Sequence, residues 1–312
     1  MFDIFQNTTR PNQDLFFNKN DPNDTRLGEI VSSQIEDYET AEIVILGCPQ
    51  DEGVARNKGR VGAALAPDAI RMQFYKLTDF GISASIFDLG DTIIQPTLEE
   101  THDLHTRIVT QILRDAKRII VLGGGNDIAY ADGAAMAEVF GAESWLGLNI
   151  DAHFDVRTDR PRNSGTPYRQ LLDERLIKPR NFYEIAYQTQ AASMVYYRHV
   201  VDLGVNLISL EEFQASDFAF QMPNFISAFD SSPAVFFGFD VDAVRAADAP
   251  GTSAPSPVGL TADEFCALAT TAGKSTNTKI IEFTETNPNF DIDNRTTKLV
   301  ATAMHRFVRG AK

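Results

Sequence analysis

Three short stretches, far apart in the chain, carry oxygen and imidazole donors at close spacing: Gly-Gly-Gly-Asn at 123–126, Asp-Ala-His-Phe-Asp at 151–155 and Asp-Val-Asp at 240–242. Asp151, His153 and Asp155 stand at i, i+2 and i+4, and Asp240 and Asp242 repeat the i, i+2 step. On extended backbone such positions share a face. Four carboxylates and one imidazole make a mainly oxygen donor set, which suits Mn²⁺ better than the thiolate-rich sets of structural zinc. A catalytic ion keeps one position open for water, so five ligands are too many for one ion. Two ions bridged by shared carboxylates account for the number. A single Asp at a strand end is commonly a cap or turn residue. For all five to be caps is disfavoured, because buried carboxylates without partners or metals are costly.

Each stretch follows a run of strand-forming residues: Ile-Ile-Val-Leu at 119–122, Trp-Leu-Gly-Leu-Asn-Ile at 145–150 and Ala-Val-Phe-Phe-Gly-Phe at 234–239. If these runs are neighbouring parallel strands, their ends deliver the ligands to one crevice. Strands are predicted near 42–48, 84–89, 118–122, 145–151, 181–186, 205–210, 234–241 and 279–285. Helices fill the gaps, for example at 66–76, 98–117, 190–202, 261–273 and 296–308, and Thr-Leu-Glu-Glu at 97–100 and Thr-Ala-Asp-Glu at 261–264 open two of them as capping boxes. Sustained βα alternation predicts an α/β fold of three layers, α/β/α, with a mainly parallel eight-stranded sheet. Residues 1–40, polar and rich in Asn and Asp, are expected to wrap the surface, leaving 41–312 as a single domain. His102, His105, His199 and His305 fall on predicted helices away from the strand ends and receive no metal role.

The order of these motifs resembles that of the ureohydrolases, the family of arginases, agmatinases and formimidoylglutamases. That family's pattern is a Gly-Gly-x-His turn, an Asp-Ala-His-x-Asp block, an Asp-x-Asp block and a late Glu-x-Asn-Pro. Here the chain reads Gly-Gly-Gly-Asn ending at Asn126, Asp-Ala-His-Phe-Asp, Phe-Asp-Val-Asp at 239–242 and Glu-Thr-Asn-Pro at 285–288, with a glycine- and proline-containing segment at 59–71 upstream. The likeness runs from about residue 41 to residue 308. It implies the arginase-like fold and two Mn²⁺ sites: a firm one from Asp151, His153, Asp240 and Asp242, and a weaker one from Asn126, Asp151, Asp155 and Asp240. The weakness lies at Asn126, where the family usually has His, since a neutral amide oxygen is a poorer donor than imidazole.

The loop Phe-Asp-Val-Arg-Thr-Asp-Arg-Pro-Arg-Asn-Ser-Gly-Thr-Pro-Tyr-Arg-Gln at 154–170 is most similar to that of formimidoylglutamases, as is Pro-Gly-Thr-Ser-Ala-Pro at 250–255. The second stretch lies in a small-residue, proline-rich segment, 246–257, that closely follows Asp242 and is read as an ordered active-site loop. N-Formimidoyl-L-glutamate carries two carboxylates, and the guanidinium fork is shaped for carboxylate. Arg157, Arg160 and Arg162 are therefore candidate substrate-binding residues, Arg157 foremost, with Ser164 beside them and Tyr187 and Gln188 at the end of the 183–188 run. The competing reading of each arginine is a surface pair with Asp159 or Asp173. An arginase or agmatinase must accommodate a cationic guanidinium, for which three arginines are a poor choice. In the run 279–288 strand parity puts Glu282 and Glu285 on opposite faces, and the match to Glu-Thr-Asn-Pro selects Glu285 for the crevice and leaves Glu282 structural.

The resemblance implies attack by a hydroxide shared by the two ions, Glu285 holding the amidinium and Asp155 relaying a proton to the glutamate nitrogen. Glutamate and formamide are the products, a step of histidine degradation. Another amidine or guanidine hydrolase of the same fold, or a metal-poor relative without activity, are the alternatives.

With 312 residues, 43% of them hydrophobic, the chain can bury one large core. A net charge of -15 argues against nucleic acid and anionic membrane as partners, and no stretch of eighteen apolar residues or signal-like N-terminus is present. Cys48 and Cys266, each within an apolar segment, read as buried free thiols. A small acidic amidine as substrate and a cytoplasmic location are expected. Homo-oligomerisation is left open.

Overall fold

Apolar side chains alternate along the central strands between two covered faces, and this period of two builds the molecule. The computed structural model describes residues 2–215 and 231–311. In β2 (Ile43–Cys48), Ile43 and Ile45 join one core while Val44, Leu46 and Cys48 join the other. The first core is closed by helices Ala66–Phe74, Ala262–Lys274 and Arg295–Gly310, through Ile70, Phe265 and Val300 among others. The second is closed by helices Leu98–Arg114, Ala129–Phe140, Pro167–Asp173 and Met194–Leu203, through Ile108, Met136, Leu171 and Val200. The result is the three-layer α/β/α arrangement expected.

The other strands are β1 (Thr8–Thr9), β3 (Ile86–Thr92), β4 (Arg118–Gly123), β5 (Trp145–Ile150), β6 (Phe182–Tyr187), β7 (Asn206–Ser209), β8 (Ala234–Asp240) and β9 (Thr278–Thr284). Their order across the sheet is β1-β3-β2-β4-β9-β8-β5-β6-β7. All pairings are parallel except β1 with β3. The eight predicted strands are present, and the sheet gains a ninth from the N-terminal segment. That segment does more than wrap the surface: β1 extends the sheet edge, and Ile4, Leu27 and Val31 are buried in the two cores. Its apolar residues are too few and too irregularly spaced to register as an element, so their burial depends on the sheet edge and helix that receive them. Both capping boxes form, at Thr97 and Thr261. Among the described residues, no helix is long and apolar enough to cross a membrane.

One buried ion cluster fixes the Ala66–Phe74 helix to β3. Arg71, fully buried, donates to Asp88 through Nε at 2.8 Å and Nη2 at 3.1 Å, and to Asp91 through Nη1 at 2.6 Å. The Tyr75 hydroxyl also bonds Asp88. Removing one partner of such a cluster leaves an uncompensated buried charge, a loss of about 3–5 kcal/mol. Arg71→Met is accordingly expected to lower the urea unfolding midpoint by that equivalent. An unchanged midpoint would show that the cluster contributes specificity alone.

Candidate metal centre and substrate cavity

Strands β4, β9, β8 and β5 are consecutive in the sheet, so the segments leaving their carboxyl ends meet at one place. The sharing of faces that extended backbone would give is not how they converge. β5 stops at Ile150 and β8 at Asp240, and the donors beyond lie on turns. Asp151 Oδ1 accepts the backbone N–H of His153 at 2.7 Å, and Asp240 Oδ1 accepts that of Asp242 at 2.9 Å. Each is an Asx turn, which folds the chain back and brings the i+2 residue alongside the first carboxylate. Asp155 and Glu285 both have φ in the left-handed region, 46° and 61°, a conformation unusual for Glu and characteristic of constrained sites.

Two donor triads result, each with its atoms within 4.8 Å of one another: Asp151, His153 and Asp242, and Asp151, Asp155 and Asp240. His153 Nδ1 is 3.4 Å from Asp151 Oδ1 and 3.3 Å from Asp242 Oδ2. Asp242, with Asp151 behind it, raises the imidazole pKa to about 12. Burial, reinforced by neighbouring carboxylates, pushes Asp155 and Asp240 well above the usual carboxylate range, and Asp151 is also raised. Asp242 Oδ1 is buried without a hydrogen-bond partner. A pair of divalent cations would satisfy this oxygen and offset the crowded negative charge, so the donor set fits the ions anticipated.

Asn126 enters the cluster with its amide nitrogen, Nδ2 donating to Asp155 Oδ2 at 2.8 Å and lying 3.4 Å from Asp151 Oδ2. Its Oδ1 accepts from the Thr284 hydroxyl at 3.0 Å. A hydroxyl both donates and accepts, so a half-turn of the amide keeps the Thr284 bond and offers Oδ1 to a cation. Behind Asn126, Asp127 accepts from Gln50 Nε2 and His102 Nε2, both at 2.7 Å. His102 thus steadies the turn and stands outside the cluster. The turn itself needs Gly124, because a Cβ there would collide with the Gln50 carbonyl.

Over the cluster lies a cavity of about 320 Å³ lined by Asp155, Asp240, Asp242, His153, Glu285 and Arg157 among others. Glu285 Oε1 accepts from the Asn126 N–H at 3.0 Å, and burial raises its pKa well above the usual carboxylate range. Glu282, fully buried within β9, has its carboxylate near that of Asp132 on the Ala129–Phe140 helix and is absent from the cavity lining. Arg157 is exposed, its guanidinium 3.9 Å from Asp159, and Ser164 also lines the cavity. Four other anticipated contacts are not brought there. Arg162 lies 4.5 Å over the Tyr130 ring with its Nη1 3.4 Å from His102 Nδ1. Arg160 is an exposed residue outside the lining, preceding a cis proline. Tyr187 packs on Phe154, and fully buried Gln188 bonds the Val258 carbonyl and Ser256. Proximity in sequence to Asp155 or to a strand end could not resolve which way these side chains turn. Conversely Asn57, Lys58, Ser193, Tyr196 and Ser253 line the cavity, and only the turn signal in Asn-Lys-Gly at 57–59 hinted at a feature there. The 246–257 segment is ordered as anticipated, with Ala249 and Thr252 fully buried.

A carboxylate and imidazole cluster at the ends of adjacent parallel strands, roofed by a small cavity, defines the class: metal-dependent hydrolases of α/β/α architecture. Within that class this chain belongs to the arginase family, which residues 41–309 match. It is 33% identical over 270 residues, 85% of each chain, to formimidoylglutamase of Staphylococcus haemolyticus. The crystal structure of Trypanosoma cruzi formiminoglutamase with Mn²⁺ superposes with a TM-score of 0.85 at 32% identity, covering 92% of this chain and 98% of that one. The formimidoylglutamase of Bacillus subtilis, at 23% identity, shares the fold with a TM-score of 0.86 over 94% of both chains.

Proposed function

We propose that this protein hydrolyses N-formimidoyl-L-glutamate to L-glutamate and formamide, with residues 41–312 as its catalytic domain. The observation that carries the reading is the presence in one cavity of an acidic metal-type cluster and Arg157. Two Mn²⁺ ions would be held by Asp151, His153, Asp240 and Asp242, and, less tightly, by Asn126, Asp151, Asp155 and Asp240. When bound they supply Lewis acidity and a water of near-neutral pKa as nucleophile. Glu285 pairs with the amidinium and orients the formimidoyl carbon. Asp155 carries a proton to the glutamate nitrogen as the C–N bond breaks, so water is divided between formamide and the new amine. Arg157 holds a substrate carboxylate. The free thiols Cys48 and Cys266 suit a reducing cytoplasmic setting, and the charge of -15 sets nucleic acid aside.

Assay of the Mn²⁺-supplemented protein on N-formimidoyl-L-glutamate, L-arginine and agmatine tests the reading. Turnover of the first with formamide release is expected; strong activity on arginine would overturn it. Arg157→Lys keeps the charge and loses the bidentate fork. A charge-assisted hydrogen bond contributes about 1.5–3 kcal/mol, so KM is expected to rise roughly tenfold or more while the melting temperature stays at the parent value. Unchanged kinetics would assign Arg157 to its pair with Asp159.

A further inference from the structure

We propose that Lys58 is a second carboxylate-binding residue of this cavity, holding the γ-carboxylate of the substrate while Arg157 holds the α-carboxylate; the inference rests on the reaction proposed above. Among the described lining residues, Lys58 and Arg157 are the only lysine or arginine, set against Asp155, Asp240, Asp242 and Glu285. An amidine bearing two carboxylates would pair its amidinium with the acidic floor and needs two cations for the rest. The cavity provides two.

The backbone gives the second argument. Lys58 ends the turn after the Glu52–Arg56 helix with φ of 63°, its N–H donating to the Ala55 carbonyl at 3.0 Å. Glycine takes this left-handed conformation without the steric cost that any side chain brings. A lysine is found there instead. Its flanks are fixed to the loops around the cluster: a Cβ on Gly59 would stand 2.5 Å from Ser253 Oγ, Arg60 Nε donates to the Ser253 carbonyl at 3.1 Å, and Asn287 Nδ2 donates to the Arg60 carbonyl at 2.8 Å. The turn is therefore set rigidly against the segment that follows Glu285.

The neighbouring cations are committed elsewhere. Arg56 pairs with Glu52 and Glu99, and Arg60 is spent on carbonyls and on the Phe290 ring at 4.0 Å. Lys58 is exposed and has no ion-pair partner among the described residues. Its placement relative to Arg157 follows from Gly165, where a Cβ would meet Arg157 Cδ at 2.6 Å and Asn57 Nδ2 at 3.2 Å. The Arg157 stem and the residue before Lys58 thus share one wall. The α-carboxylate, the nearer of the two to the formimidoyl carbon, falls to Arg157, whose loop also carries Asp155. Lys58, on the separate loop that Gly59 and Arg60 hold against Ser253, takes the γ-carboxylate, the group farther from that carbon.

The test compares N-formimidoyl-L-glutamate with N-formimidoyl-L-glutamine, which lacks the γ-charge, using the Mn²⁺-loaded full chain. Loss of one charge-assisted bond corresponds to about tenfold. Lys58→Met is expected to raise KM for the glutamate substrate about tenfold and to leave KM for the glutamine analogue unchanged. Lys58→Gly should give the same kinetic signature with a melting temperature at or above the parent's, since it relieves the left-handed strain; it also decides the matter if the Met variant does not fold. Equal effects on both substrates, or none on either, overturn the role of Lys58. A parent protein that turns over neither substrate overturns the reaction itself, and the two failures are thereby separate.

Discussion

Asp240→Ala is expected to lose both Mn²⁺ retention and turnover. Asp240 is 2% exposed, belongs to the triad with Asp151 and Asp155, and its Oδ1 forms the Asx turn that positions Asp242. Alanine removes a donor proposed to serve both ions and releases Asp242 from its turn at once. A Lewis-acidic ion contributes several kcal/mol of charge stabilisation, so turnover should fall by roughly a thousandfold or more. Asp240→Asn separates the two effects, since an amide oxygen keeps the turn but not the charge. It is expected to fold like the parent and still lose metal. The measurements are Mn²⁺ per chain by mass spectrometry after dialysis, and initial rates. Either variant keeping two ions and parental rates would remove Asp240 from the centre.

Replacing Asn126 by His should have the opposite sign. Imidazole Nδ1 stands at the same bond distance from Cβ as the amide Oδ1, so the new donor reaches the cluster without moving the turn that Asp127, Gln50 and His102 hold. A neutral amide oxygen is exchanged for a far better ligand. Even outer partners of metal ligands change affinity 10- to 100-fold, so the Mn²⁺ concentration for half-maximal activity is expected to drop by about tenfold or more. After dialysis Asn126→His should keep two ions per chain where the parent keeps one or none. Should stoichiometry match the parent's at every Mn²⁺ concentration, Asn126 does not serve a cation and the second site must be drawn without it.

Residue types and short-range order determined a large part of this protein. Apolar runs such as 119–122 and 234–239 became strands because a strand covered on both faces must be apolar at nearly every position, and the capping boxes at Thr97 and Thr261 formed because all their partners lie within four residues. The donors of the metal-type cluster were visible because carboxylates and imidazole after apolar runs are costly unless paired. What the tertiary structure decided depends on contacts between distant segments. Placement of β9 between β4 and β8 carries Glu285 to the cluster, and no local pattern encodes strand order. Asx turns, with left-handed Asp155 and Glu285, replaced the extended geometry that i, i+2 spacing suggested. The direction of long, flexible side chains also waited on the fold: Arg162 settled on Tyr130 and Arg157 on the cavity wall, although both belong to one loop. Lys58, nearly a hundred residues before Asp155, reached the same cavity because Gly59 and Arg60 lock onto Ser253, a contact between residues about two hundred positions apart that local sequence cannot specify.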